Sequence, residues 1–232
     1  MTDFRSLARV NQPLTNKRVV ALISGRGTNL QALLDAPKDW LGGRVEHVIS
    51  NIPDVPGLER ARAAGAETTV IPHRSFESRE AFDTELIKTV LATGPDLVIL
   101  AGFMRILTPI FIEPLVGRIL NIHPSLLPEF PGLNTHRRAI DAGRKVHGAT
   151  VHFVTQELDG GPPVLQAQVA INRDDTERTL SARVLMREHE IFPLASRWFL
   201  HGRLRLEAGL PTLDGKTLLA PLDFDNVSTA NR

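Results

Sequence analysis

Residues 19–34 read VVALISGRGTNLQALL: an apolar run, a turn with two glycines, and then leucines at helical spacing. A short, fully apolar run followed by a glycine turn and a helix is typical of a βαβ unit whose strand is buried on both faces. Pro37 ends the helical pattern soon afterwards. The stretch therefore predicts a parallel sheet with helices packed against it.

The same alternation continues to residue 101. Strands are predicted at 47–50, 68–71 and 96–101, with helices at 58–66 and 80–92. The last of these strands, DLVILA, is the most apolar, so we expect it at the centre of a doubly wound, mostly parallel α/β sheet. Ligands of such sheets bind beyond the carboxyl ends of the strands. The segments expected there are 24–29, 50–51, 72–74 and 102–105.

The pattern changes after residue 117. The predicted elements are a strand at 118–122, a helix at 135–142, strands at 147–155 and 164–171, a long helix at 176–199 and a terminal hairpin of 204–206 with 217–219. We expect 147–155 and 164–171 to pair antiparallel, with one face of 147–155 exposed. Thr176 is the predicted N-cap of the long helix.

Composition excludes several classes of protein. The 232 residues include 27 Lys and Arg, 26 Asp and Glu, and no Cys, which removes thiolate nucleophiles, cysteine-ligated metals and a broad basic face for nucleic acid. No run of 18 apolar residues occurs, and residues 1–16 lack the apolar core of a secretory signal. We therefore expect a soluble, cytoplasmic protein with no nucleic-acid or membrane partner.

The turn SGRGTN, residues 24–29, is a candidate phosphate site. Glycines allow close approach of the backbone to an anion, and the free N–H groups of the following helix point towards it. Leu30 occupies the third glycine position of a dinucleotide fingerprint, and the GK[ST] element of an NTP-binding loop is missing. The loop thus favours a single phosphate, with a plain strand–helix turn as the alternative.

Asn121 and His123 are candidate catalytic residues. They stand two residues apart at a strand end, so both side chains lie on one side of the strand, where they could stabilise an oxyanion. Asp159, in a DGG turn, could orient the imidazole and raise its pKa. The alternatives are a structural histidine, a simple turn at Asp159, and a zinc site with His147 and His152; no helical metal-ligand spacing supports the zinc site.

The chain resembles the folate-dependent formyltransferases. The resemblance rests on GFMRIL at 102–107, NIHPSLLP at 121–128, HGATVH at 147–152 and DGGP at 159–162, in the family's order and spacing, and runs from about residue 17 to 219. It implies a Rossmann-like formyltransferase fold. It also implies direct formyl transfer from 10-formyltetrahydrofolate, as co-substrate, to the amine of 5-phosphoribosylglycinamide in purine synthesis, without a metal.

The resemblance assigns roles to particular residues. Asn121 would bond the formyl oxygen, His123 would donate a proton to it, and Asp159 would raise the pKa of His123. The implied acceptor-binding residues are Gly27, Thr28 and Asn29 at the phosphate, Arg118 as a second phosphate partner, and Glu188 at the ribose. The implied folate-binding residues are Arg79, Met104, Arg105, Ile106, Leu107 and Asn121. Asn134, where relatives carry His, and the doubled Pro162-Pro163 depart from the family pattern.

We expect a single domain at 17–220, with a phosphate-binding half at 17–117 and a catalytic and folate half at 118–220. Residues 1–16 are predicted to be an extension and residues 221–232 a disordered tail. Monomer and homodimer both remain open.

Other functions are less favoured. Methionyl-tRNA formyltransferase and formyltetrahydrofolate deformylase share the Asn, His and Asp residues, but each has an additional domain that we do not expect here. A catalytically inactive nucleotide-binding module would not need Asn121, His123 and Asp159 together. A Rossmann dehydrogenase would need the missing third glycine and an acidic residue after the second strand.

Overall fold

The computed structural model describes residues 16–227. The strands are β1 Lys17–Ile23, β2 Gly43–Ser50, β3 Glu67–Val70, β4 Leu97–Leu100, β5 Ile119–His123, β6 Val146–Phe153, β7 Pro163–Ala170, β8 Leu204–Glu207, β9 Leu210–Leu213, β10 Lys216–Thr217 and β11 Leu222–Asp223. The helices are α1 Thr28–Leu34, α2 Lys38–Leu41, α3 Pro56–Ala63, α4 Arg79–Ala92, α5 Pro109–Ile112, α6 Thr135–Asp141 and α7 Glu177–Leu200.

One eight-stranded sheet organises the fold, in the order β11-β7-β6-β5-β4-β1-β2-β3. Strands β1 to β5 pair in parallel, and β4 lies between β1 and β5. The predicted α/β class, the mostly parallel sheet and the central position of β4 are therefore confirmed. The carboxyl ends of β1, β2, β4 and β5 meet at one edge of the sheet, as the predicted site requires.

Helices cover both faces of this sheet. Alternate residues of β1 point to opposite sides: Val19, Ala21 and Ile23 pack with α1, α3 and α7, whereas Val20 and Leu22 pack with α4 and α5. All five side chains are buried. This two-sided burial explains why the β1 segment reads as a continuous apolar run.

In the second half of the sheet, β6 runs antiparallel to its two neighbours. β6 pairs antiparallel with β5 and with β7, so the predicted antiparallel pair is confirmed. The expected exposed face of β6 is wrong, because His147 to Phe153 are all buried. Helix α7 packs on one face, and the loop after β5 bonds to Thr150, which accepts from Leu127 N (3.0 Å) and donates to Ser125 O (2.6 Å).

Helix α7 begins where the sequence predicts. The Thr176 hydroxyl accepts the Thr179 N–H at 3.2 Å, and Thr179 Oγ1 accepts the Thr176 N–H at 2.9 Å. This reciprocal cap satisfies backbone N–H groups that the first helical turn leaves free. None of the helices in residues 16–227 is long and apolar enough to cross a membrane.

Two predictions for the C-terminal region are wrong. The single hairpin is in fact a three-stranded sheet, because Leu210–Leu213 forms β9 between β8 and β10. The disordered tail does not begin at 221: Leu222 pairs with Leu165 of β7, and Phe224 is buried. The segment is polar on average, but its few apolar side chains pack against the core. The predicted extension at 1–16, apart from residue 16, and residues 228–232 lie outside the described residues.

Candidate active site

Ser24 joins the ends of three parallel strands. Its hydroxyl donates to Asn51 Oδ1 at 2.5 Å and accepts the Met104 N–H at 2.8 Å. Its backbone N–H donates to Gly102 O at 3.1 Å. The turn after β1 and the loop after β4, both predicted site segments, are therefore linked by one buried serine.

The turn after β1 is held by the start of α3. Gly27 has φ of 70°, and a Cβ there would lie 2.7 Å from the Gly57 Cα, so only glycine fits. Gly57 N donates to Gly25 O at 3.1 Å, and Arg60 Nε donates to Arg26 O at 3.0 Å. The conformation of the turn is thus fixed by its contacts with α3. The two backbones lie close together, with no side chain between them.

Asn29 and Glu188 meet beside this turn. Asn29 Nδ2 donates to Glu188 Oε2 at 2.6 Å, and both side chains are buried. Burial raises the pKa of Glu188, and the Asn29 hydrogen bond acts in the opposite direction. Asn29 Oδ1 has no hydrogen-bond partner within the described part of the chain. Thr28, the first residue of α1, completes the group, and no side chain caps the helix before it.

The predicted catalytic residues converge. His123 Nδ1 lies 3.4 Å from Asp159 Oδ2, and Nε2 donates to Phe130 O at 3.0 Å. Both side chains of the His123–Asp159 pair are about nine-tenths buried. Gly132 N also donates to Asp159 Oδ2 at 2.8 Å. An acceptor thus faces each ring nitrogen of His123: Phe130 O at hydrogen-bond distance from Nε2, and the Asp159 carboxylate farther from Nδ1.

Asn121 lies on the same face of β5 and lines a pocket with Asp159 and His152. Its amide Nδ2 is 3.0 Å from His152 Nε2. Asp159 therefore belongs both to this pocket and to the pair with His123, and hydrogen-bond donors at such a place can stabilise a developing oxyanion.

Three further histidines surround His123. Burial lowers the pKa of His136, and it lowers those of His147 and His152 to about 4. These rings are neutral at neutral pH, so they add no positive charge against His123. Within residues 16–227, no group of three or more His, Cys, Asp or Glu side chains is placed to hold a metal ion.

The loop after β4 forms the other wall of the pocket. Phe103, Arg105, Ile106 and Leu107 line it, while Met104 is 67% exposed beside it. Arg105 lies over the Phe82 ring at 5.0 Å. Arg79 is the first residue of α4. Its charge reaches Asp83 on the same helix: burial raises the pKa of Asp83, and the Thr108 amide and the charges of Arg105 and Arg79 act in the opposite direction. The predicted folate residues are thus grouped.

Arg118 does not belong to this group, and its prediction as a phosphate partner is wrong. It precedes β5, at the opposite end of that strand from His123, and donates to Pro95 O (3.4 Å) and Pro114 O (2.8 Å). Five residues of β5 separate it from the catalytic edge, roughly 16 Å of strand. Its side chain instead holds the two turns that precede β4 and β5.

The two departures from the family pattern have structural explanations. Asn134 has φ of 57° and is the N-cap residue of α6, a backbone conformation that asparagine tolerates well. Pro163 begins β7, and Pro162 contributes its carbonyl to Phe153 N at 3.1 Å. The sequence did not reveal the role of the Ser24 hydroxyl, nor those of Phe130 and Gly132, which act through backbone groups that no motif encodes. It mentioned His152 only as a metal ligand.

The fold and this site define a class of protein. A family model described as formyl transferase matches residues 17–196, and the chain belongs to that family. It is 52% identical over 201 residues to phosphoribosylglycinamide formyltransferase of Escherichia coli K12, covering 86% of this chain and 95% of that protein.

Solved structures of formyltransferases are also similar to this chain. Phosphoribosylglycinamide formyltransferase of Coxiella burnetii superposes with a TM-score of 0.84 at 46% identity, covering 89% of this chain and 99% of that one. Glycinamide ribonucleotide transformylase 1 of Symbiobacterium toebii has a TM-score of 0.83 at 47% identity, covering 87% and 95%.

Proposed function

We propose that this formyltransferase moves the formyl group of 10-formyltetrahydrofolate to the amine of 5-phosphoribosylglycinamide. The observation that carries the proposal is the meeting of Asn121, His123 and Asp159 at one sheet edge, between the turn after β1 and the loop after β4. Membership of the family supports formyl transfer, and the names of the close relatives support this acceptor.

The acceptor would occupy the side of β1. The backbone at Gly27, Thr28 and Asn29 would bind its phosphate, since glycine turns and free N–H groups suit an anion. Glu188, joined to Asn29 at 2.6 Å, would accept hydrogen bonds from the ribose hydroxyls. The folate would occupy the side of β4, with its pterin ring against Met104 to Leu107 and its glutamate tail towards the exposed Arg79.

The proposed reaction uses the two substrates and side chains of this protein. The acceptor amine attacks the formyl carbon, which forms a C–N bond and places a negative charge on the formyl oxygen. Asn121 donates a hydrogen bond to this oxyanion, and His123 donates a proton to it, which returns to the ring when the carbonyl re-forms. The bond from carbon to the folate nitrogen then breaks, and the proton lost by the amine ends on that nitrogen.

His123 must exchange one of its present acceptors for the formyl oxygen. Asp159 is the charged one, and a carboxylate is the stronger hydrogen-bond acceptor of the two. Phe130 O is neutral, and its residue has φ of 53°, which is an uncommon conformation for an aromatic residue. We therefore propose that the formyl oxygen replaces Phe130 O at Nε2 when both substrates are bound.

An assay with purified full-length protein tests this function. 10-Formyltetrahydrofolate is supplied with and without 5-phosphoribosylglycinamide, and tetrahydrofolate and the formylated acceptor are both quantified. We expect formyl loss only with acceptor, with equal amounts of both products. Asn121→Ala should lower kcat by about 10² to 10³, whereas the exposed Asn172→Ala should not change it. Formyl loss that is independent of the acceptor would identify a deformylase instead.

A further inference from the structure

Asn121 and His152 face each other across the antiparallel pair of β5 and β6. Their side chains meet with Asn121 Nδ2 3.0 Å from His152 Nε2. His152 is only 2% exposed, so solvent does not compete for this contact. The direction of the hydrogen bond depends on which ring nitrogen carries the proton.

The carbonyl of Phe153 decides that direction. His152 Nδ1 lies 2.9 Å from Phe153 O, and a carbonyl oxygen can only accept, so Nδ1 carries the proton. Burial lowers the pKa of His152 to about 4, which leaves Nε2 unprotonated and able to accept. The Asn121 amide must then present Nδ2 to it, since the flipped amide would place an oxygen against a lone pair.

Gly161 packs closely against this carbonyl. A Cβ at Gly161 would lie 1.8 Å from Phe153 O, so glycine alone lets the turn pack against it. Asp159 Oδ1 is 4.0 Å from His152 Nε2, which is too far for a hydrogen bond. Asn121 is therefore the partner of Nε2 on the side of the pocket.

We propose that His152 is a positioning residue: by accepting one N–H of Asn121, it directs the second N–H into the pocket as the oxyanion donor. The inference rests on the proposed function for its catalytic consequence, but the hydrogen bond itself does not. His152 acts through Asn121 and holds no proton for the substrate. The side-chain amide of an asparagine has two orientations, and only one of them offers a donor at this point.

A double-mutant cycle tests the coupling. His152→Leu removes the acceptor at similar size, and His152→Gln places an amide oxygen near the position of Nε2. We expect His152→Leu to lower kcat at least tenfold with both KM values nearly unchanged, and His152→Gln to recover a large part of it. In an Asn121→Ala background, the same Leu substitution should change kcat less than about twofold.

The outcomes separate coupling from damage to the fold. Equal losses in both backgrounds would overturn the inference, because a residue that acts through Asn121 cannot matter once Asn121 is absent. His47, another buried histidine, lies on β2 and bonds Thr69 (2.8 Å). His47→Leu is the matched control, and any effect that it has should be the same in both backgrounds.

A spectroscopic measurement works without activity. In 15N-labelled full-length protein, a scalar coupling across the hydrogen bond should join Asn121 Nδ2 to His152 Nε2, and ring shifts should show the proton on Nδ1. A proton on Nε2, or no coupling, would overturn the inference. If the coupling is present but wild-type protein fails to formylate 5-phosphoribosylglycinamide, the proposed function fails and the positioning contact stands.

Discussion

Asp159 reaches His123 from a backbone position that few carboxylate residues occupy. Its φ is 51°, and its Oδ2 receives the Gly132 N–H at 2.8 Å while facing His123 Nδ1 at 3.4 Å. A left-handed conformation costs free energy for a residue other than glycine. The DGG turn therefore places a carboxylate beside His123, the proposed proton donor.

Asp159→Asn keeps the shape of this side chain and removes its charge. We expect kcat to fall at least about a hundredfold at neutral pH, with both KM values nearly unchanged, since the lost interaction stabilises the transition state. Steady-state kinetics with each substrate varied would measure this. Asp141→Asn, an exposed change on α6, is the control. If Asp159→Asn kept a kcat close to that of the wild type, Asp159 would have no catalytic contribution and would serve only the turn.

Glu188 should make stability depend on pH. Burial raises its pKa above the ordinary 4.5, so the unfolded chain releases this proton at lower pH than the native protein. The contribution of Glu188 to stability is therefore complete below its unfolded-state pKa of about 4.5. It is lost as the pH rises from there through the raised pKa of the native protein, by up to about 1.4 kcal/mol per pH unit. Above the raised value the loss is constant.

Glu188→Gln should consequently be more stable than wild type at pH 7.5, and the difference should shrink towards pH 4.5. Urea unfolding at several pH values would measure this difference. The variant keeps an oxygen that accepts from Asn29 but should bind the acceptor substrate more weakly. Glu190→Gln, on the exposed face of the same helix, should show no such trend. A difference that is constant with pH would contradict the assigned titration.

At the scale of elements, Ser24 connects the turn after β1 to the loop after β4. Ser24→Ala leaves Asn51 Oδ1 and Met104 N without the partners they have at 2.5 and 2.8 Å. We expect the free energy of unfolding to fall by about 1–3 kcal/mol and KM to rise for both substrates. Ser181→Ala, on α7 away from the site, serves as control. A rise in only one KM would show that the two loops are independent.

At the scale of the whole molecule, the C-terminal segment braces α7. Phe224 is buried against the core, and Arg187, the neighbour of Glu188, lies 4.9 Å over its ring and pairs with Asp225. Phe224→Ala should destabilise the protein by about 3–5 kcal/mol and raise KM for the acceptor more than for the folate. Leu219→Ala, at an 88% exposed position, should change stability by less than about 0.5 kcal/mol. Equal stabilities of the two variants would show that the segment is not part of the core.

Features that depend on neighbours along the chain can be predicted from the sequence alone. The apolar run 19–23 with its glycine turn predicts β1 and α1, because burial on both faces and the turn conformation are local requirements. Asn121 and His123 were predicted to share a face because side chains alternate along any strand. The Thr176 cap has the same local origin.

Which distant groups meet becomes visible only in the folded protein. Asn29 and Glu188, Asn121 and His152, and β11 and β7 are far apart in sequence, and their contacts depend on strand order and register rather than on local preference. Arg118 is an example. The sequence places it beside a strand, but it does not show at which edge of the sheet its side chain lies. Long-range pairing follows the burial of the whole core, a free energy that no short stretch of sequence contains.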